Sequence, residues 1–183
     1  MEEVDRRDFV RFSDRLSAYD DTPLSIGQGQ TISAPHMVAM MLEELKLSEK
    51  DNLLEIGSGC GYHAAVASRL VSKVTTIERI PYIYELACEN LDSYDNIEII
   101  NGDGSRGFRD NCPYQKIMVT CGAPRVPPPL IDQLEIGGLM VIPVGGRGAQ
   151  ELLTVERTTD GISVFRRPGV AFVPMIGVNA FDN

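Results

Sequence analysis

Residues 53–62, Leu-Leu-Glu-Ile-Gly-Ser-Gly-Cys-Gly-Tyr, decide the fold. An apolar, strand-like run closes on an acid, Glu55, and is followed by a loop with glycines at Gly57, Gly59 and Gly61. Beyond it, His63 to Leu70 reads as a helix rich in small residues, with Ala64, Ala65 and Ala67 packing close to a sheet. Glycine accepts φ > 0 and lets a ligand approach the backbone. A helix start presents N–H groups without intrahelical partners. The stretch is therefore a strand–loop–helix cradle for a nucleotide-like ligand.

The same alternation runs outward in both directions. Upstream, Ala34 to about Leu45 has an apolar stripe of Met37, Val38, Met41, Leu42 and Leu45 at helical spacing. Ser33 stands where a helix cap belongs, and Pro35 lies in the first turn. Downstream, Val74-Thr75-Thr76-Ile77 ends at Glu78, and Ile97-Glu98-Ile99-Ile100 leads into Asn101-Gly102-Asp103-Gly104. Between these two runs Pro81 opens a helix over about Tyr82 to Leu91. Lys116 to Thr120 is a fourth run, Leu130 to Leu134 a short helix ending at Gly137-Gly138, and Leu139 to Val144 a fifth run. The period then changes. Leu152 to Arg157 and Ile162 to Arg166 flank Thr159-Asp160-Gly161, a hairpin signal. Val170 to Pro174 is the last apolar run. Alternating βα units imply a doubly wound, mostly parallel α/β sheet, here with an antiparallel hairpin at its C-terminal end.

The amino-terminal residues are polar. Arg7 to Leu16 reads either as a short helix or as a partly ordered arm within residues 1–20. Residues 24–35, Leu-Ser-Ile-Gly-Gln-Gly-Gln-Thr-Ile-Ser-Ala-Pro, have no regular period and read as a loop of the kind that carries function.

A chain of 183 residues with 43% hydrophobic and 23% charged residues is expected to form one domain, spanning 1–183. Its net charge of -9 argues against a nucleic-acid partner, which needs a basic face. No apolar run reaches the roughly 18 residues of a membrane span, and no signal-peptide core is visible. The cysteines Cys60, Cys88, Cys112 and Cys121 form no C-x-x-C pair and read as reduced thiols of a cytoplasmic protein. With only His36 and His63 as imidazoles, no metal site is expected.

Three acids, Glu55, Glu78 and Asp103, fall at the carboxyl ends of successive strands. A carboxylate at Glu78, about 20 residues past the loop, suits a ribose diol. The dinucleotide fingerprint would need glycine where Tyr62 stands, and no Gly-Lys-Ser/Thr follows for a phosphate loop. The G-x-G-x-G spacing resembles that of S-adenosylmethionine-dependent methyltransferases of the Rossmann-like class I fold. Further stretches narrow the resemblance: residues 21–37, with Gln-Thr-Ile-Ser-Ala-Pro-His at 30–36 the most specific, then 55–62, 102–104, 128–134 with Gly137-Gly138, and 141–145. Over about residues 19–175 the chain resembles the protein-L-isoaspartate O-methyltransferase family.

The resemblance implies a site. Ser33 matches the active-site serine, a catalytic role beyond that of a helix cap. Gln30, Thr31, Ile32 and Ser33 would line the cofactor and substrate cleft. Glu55, Gly57, Ser58, Gly59, Gly61 and Tyr62 would form the methionine-side cradle. Glu78, with Arg79 beside it, would meet the ribose, and Gly102, Asp103 and Gly104 the adenine. The implied cofactor is S-adenosylmethionine, with S-adenosylhomocysteine as product. The implied substrates are isoaspartyl-containing proteins and peptides, met by a monomer and seated by strand-like pairing along residues 24–33 and the last strand. A helix that the family usually carries before the position of Val4 has no counterpart here, which implies either looser substrate binding or a start chosen downstream of it. Readings with no repair activity, as a cofactor-binding module or a methyltransferase with another acceptor, stay open at this point; an NAD-dependent reductase is disfavoured by Tyr62.

Overall fold

The structure, a computed structural model, describes residues 2–182. Near the amino terminus lie two 3-10 turns, Arg6–Asp8 and Phe12–Ser17, in place of one continuous helix or a partly ordered arm over Arg7 to Leu16. Tertiary anchors explain the break. Val4 and Phe9 are buried, Asp5 accepts the Arg7 N–H at 2.9 Å, and the Tyr19 hydroxyl accepts the Arg6 N–H at 3.1 Å.

Strands β1 (Leu24–Gly27) and β2 (Gln30–Ile32) pair antiparallel as a small separate sheet. Its strands are too short to show a period, so the sequence reading made it a loop. The glycines serve the turn, where Gly27, Gln28 and Gly29 all have positive φ. Helix α1 (Pro35–Leu45) follows, with Val38, Met41, Leu42 and Leu45 buried. Its N-cap is Ala34, without a side-chain bond, so the reading of Ser33 as a helix cap is corrected.

The main sheet begins with β3 (Asn52–Ile56), then α2 (Tyr62–Ala67), β4 (Lys73–Glu78), α3 (Pro81–Leu91) and β5 (Ile97–Asn101). It continues through β6 (Tyr114–Val119), α4 (Pro128–Gln133), β7 (Leu134–Gly146), β8 (Ala149–Thr158) and β9 (Gly161–Val170). The strand order is β5-β4-β3-β6-β7-β8-β9. Pairs from β5 to β7 are parallel, and β7–β8 and β8–β9 are antiparallel. The mostly parallel α/β sheet with an antiparallel C-terminal hairpin is as expected. Helix α2 stops short of Leu70, because the Ser68 hydroxyl donates to the Ala65 carbonyl at 2.8 Å and competes with the helical ladder.

Alternation along the strands builds two cores. Leu53, Met118, Val141 and Leu152 face a layer containing residues of α1, α2 and α3. Leu54, Ile117, Met140 and Leu153 face a layer containing Leu130 of α4. Burial on both faces explains why these strands read as unbroken apolar runs. Sequence order reverses at β3, where the chain leaves β5 and returns on the other side with β6. A crevice forms at the carboxyl ends of strands around such a switch point.

Candidate active site

The glycine loop after β3 is fastened to β4. The Gly57 and Ser58 N–H groups donate to the Ile77 carbonyl at 2.9 and 3.2 Å, and the Gly59 N–H donates to Glu78 Oε2 at 3.1 Å. Gly57 needs its positive φ of 95°, and a Cβ there would stand 2.6 Å from the Thr120 hydroxyl. Gly61, at φ 90°, caps α2 and admits the Leu91 side chain, where a Cβ would stand at 2.8 Å.

Above the loop lies a cleft with about 660 Å³ of unfilled space. Gln30, Thr31, Gly57, Gly59, Glu78, Arg79 and Gly104 line it. A second pocket of about 310 Å³ shares Thr31, Gly57, Gly59 and Thr120 with the first, and Ile32, Ser33, Ser58 and Tyr62 line it. Four expected contacts lie elsewhere. Glu55 is buried beneath the loop, and Gly61 packs against α3. Gly102 donates to the Glu78 carbonyl at 2.9 Å, and Asp103 turns to Ser105 and to the Val178 N–H at 2.9 Å.

Other lining residues escaped the sequence reading. Thr120 and Cys121 follow β6, beside β3 at the switch point, and applying the switch rule to the fourth strand would have found them. Val173 to Ile176 come from the far end of the chain. They are held by Gly122, whose N–H donates to the Val173 carbonyl and whose carbonyl accepts the Met175 N–H, at 2.8 and 2.7 Å. No sequence signal announces that pairing. His63 and Cys60 line the second pocket.

Electrostatically the two halves differ. Glu78 closes β4 with a carboxylate that accepts N–H groups from Ile80 at 2.9 Å and Gly59, and burial raises it from the ordinary range against those bonds. The Arg79 N–H also donates to it; a carboxylate has about four acceptor sites, so Glu78 keeps capacity for one further ligand hydroxyl bond. With Ile80, Met175 and Ile176 as apolar walls, this half of the cleft fits a nucleoside: a diol acceptor beside flat apolar surface. In the second pocket each shifted group moves toward its neutral form. Burial pushes the Cys60 thiol up to about 11 and the Tyr62 phenol up to about 12. Burial, then the Arg6 charge, takes the His63 imidazole down to about 4.

Comparison with known proteins places this cleft in a family. A model of the protein-L-isoaspartate(D-aspartate) O-methyltransferase family matches residues 1–180. A protein-L-isoaspartate O-methyltransferase of Methanothermobacter thermautotrophicus is 52% identical, over 97% of this chain and 85% of the relative. One from Archaeoglobus fulgidus is 50% identical, over 99% and 85%. Among solved structures, a protein-L-isoaspartate O-methyltransferase superposes with TM-score 0.89 at 30% identity, covering 97% of this chain and 60% of that one. A Plasmodium falciparum relative, described as a complex with S-adenosyl-L-homocysteine, superposes with TM-score 0.80 at 26% identity, over 96% and 87%. The chain belongs to the protein-L-isoaspartate(D-aspartate) O-methyltransferase family, the S-adenosylmethionine-dependent carboxyl methyltransferases of protein repair.

Proposed function

We propose that the cleft and its second pocket together methylate the free α-carboxylate of an L-isoaspartyl residue, with Ser33 at the acceptor. The neutral second pocket is the observation that carries this reading. Bound S-adenosylmethionine supplies an electrophilic methyl group on a sulfonium. Glu78 would hold the ribose hydroxyls, Ile80 and Ile176 the adenine, and the loop from Gly57 to Cys60 the methionine end. The acceptor carboxylate is ionised at neutral pH, with an ordinary pKa of about 4, and needs no general base. Ser33 donates a hydrogen bond that aims one carboxylate oxygen at the methyl group. Sulfonium and carboxylate would lose their charges together as the methyl moves, so a pocket whose own lining side chains are neutral favours transfer. A contact ion pair to the carboxylate would hold the ground state back.

The substrate is an extended, flexible segment of a damaged protein or peptide, seated along β1 and β2. The chain acts as a single methyltransferase domain, monomeric and cytoplasmic, without nucleic acid. Its net charge of -9 supports the last of these. Among the described residues no helix is long and apolar enough to cross a membrane.

The test is transfer of labelled methyl from S-adenosylmethionine to an isoaspartyl peptide and to its aspartyl twin. Base-labile label on the isoaspartyl peptide alone is expected. Ser33→Ala is expected to lower kcat/KM by about 5- to 150-fold, the equivalent of one lost hydrogen bond of about 1–3 kcal/mol. Label on neither peptide, with cofactor binding intact, overturns the reading.

A further inference from the structure

The glycine loop uses most of its own donors internally. The Gly57, Ser58, Gly59 and Gly61 N–H groups all go to protein acceptors, the last to the Ser58 carbonyl at 2.8 Å. A ligand carboxylate over this loop gains from a side-chain donor beside it. Ser58 lies in the loop, lines the second pocket, and ends a buried chain. Its Oγ is 2.7 Å from Thr76 Oγ1, which is 2.5 Å from Glu55 Oε2.

Each hydroxyl has one proton to give, so this chain has a direction. With Glu55 ionised, Thr76 donates to it, Ser58 donates to Thr76, and Ser58 shows the pocket only lone pairs. With Glu55 protonated the order reverses, and the Ser58 proton is free. Resting on the reading of the cleft as the cofactor site, we propose that the chain runs outward from a protonated Glu55 through Thr76, making the Ser58 hydroxyl a donor to the carboxylate at the cofactor's methionine end. Thr76 and Glu55 are positioning residues, and Ser58 makes the contact.

The surroundings of Glu55 favour the outward direction. Its side chain is buried, and Oε1 has no hydrogen-bond partner among the described residues. An ionised carboxylate would leave that oxygen charged and unpaired, at large cost. The groups that face it supply no counter-charge. Thr76 and Glu78 come from β4, Cys60 from the loop and Cys121 from the end of β6. Glu78 repels a second negative charge, and burial pushes both thiols up and keeps them neutral. Burial first, and Glu78 with it, raises Glu55 to about 8 against the Thr76 bond, so it is protonated at pH 7.

The test is calorimetric affinity for S-adenosylhomocysteine from pH 6.5 to 9.5, in the wild type and in Glu55→Gln, Thr76→Val and Thr76→Ser. Wild-type affinity is expected to fall about tenfold as pH passes about 8, the scale of one hydrogen bond to a charged group. In Glu55→Gln that step vanishes, while the ligand's own titration remains. Thr76→Val is expected to bind about tenfold more weakly at pH 7 with no step, and Thr76→Ser to restore both affinity and step. Superimposable pH curves for wild type and Glu55→Gln overturn the inference, even if Thr76→Val fails to fold. A wild type that binds no S-adenosylhomocysteine at any pH overturns instead the reading of the cleft.

Discussion

Gly57→Ala is the sharpest probe of the cradle. Two costs arise at this position. The backbone stands at φ 95°, where a Cβ is strained by about 1–3 kcal/mol. The new Cβ also stands 2.6 Å from Thr120 Oγ1, far inside contact distance. That hydroxyl donates to the Gly57 carbonyl at 2.6 Å and lies 3.0 Å from the Ile56 carbonyl. It cannot yield without giving up these bonds, and a polar group left unsatisfied costs about 1–3 kcal/mol more. Gly57→Ala is therefore expected to destabilise by about 2–6 kcal/mol. Thr120→Ala alone is expected to cost about 1 kcal/mol. In the double variant the clash is gone and the backbone strain and the Thr120→Ala cost remain, so the costs are less than additive by at least about 1 kcal/mol. Urea unfolding of the four proteins measures this, with S-adenosylhomocysteine affinity as a second readout. A Gly57→Ala protein within about 0.5 kcal/mol of wild type, or strict additivity in the cycle, refutes the reasoning.

Two further substitutions separate the halves of the site. Glu78→Gln removes the charged acceptor and is expected to weaken S-adenosylhomocysteine by about 10- to 150-fold in calorimetry, with little effect on the KM for peptide. Arg6→Met removes a buried cation whose two terminal nitrogens have no hydrogen-bond partner among the described residues and whose guanidinium lies 5.3 Å from the centre of the Tyr62 ring. Arg6 is the secondary cause that lowers His63, so its loss is expected to raise the His63 pKa, while burial still holds it below the ordinary value. Imidazole proton shifts across a pH titration measure this, and an unmoved His63 counts against it.

Legibility in the sequence followed the range of the forces involved. Local ones were readable: the glycines of 57–61 mark a turn that only positive φ allows, and Thr159-Asp160-Gly161 marks the β8–β9 hairpin. The mostly parallel sheet followed because alternating βα units admit few arrangements. Ser33 shows where sequence physics stops. A serine before Pro35 has the pattern of a cap, yet Ala34 takes that position and Ser33 lines the second pocket. Only the resemblance pointed to the serine as functional. Glu55 shows the reverse. Its place at the end of a strand suggested contact with the ligand, but the side-chain alternation of β3 turns it inward to Thr76. Val173 to Ile176 were invisible as lining residues, because one backbone pairing with Gly122, some fifty residues earlier, brings them to the cleft.

The distribution of charge leads to a last consequence. Glu78, the carboxylate lining the main cleft, belongs to the end that holds the ribose, whereas Cys60, Tyr62 and His63 of the second pocket are neutral at pH 7. A reaction that annihilates two opposite charges gains from such a division, since fixed charge near the acceptor would stabilise the reactants more than the transition state. It also leaves the pocket without a group that changes charge between about pH 5 and pH 8, because His63 titrates near 4 and the thiol and phenol near 11 and 12. At saturating cofactor, kcat with an isoaspartyl peptide is therefore expected to be flat from about pH 6 to pH 8, scored as total transferred label, including methanol from ester hydrolysis. A general base at His63 would instead give a rate that rises with pH through an imidazole pKa. A tenfold rise over that window would overturn the assignment of a base-free, charge-annihilating transfer to this pocket.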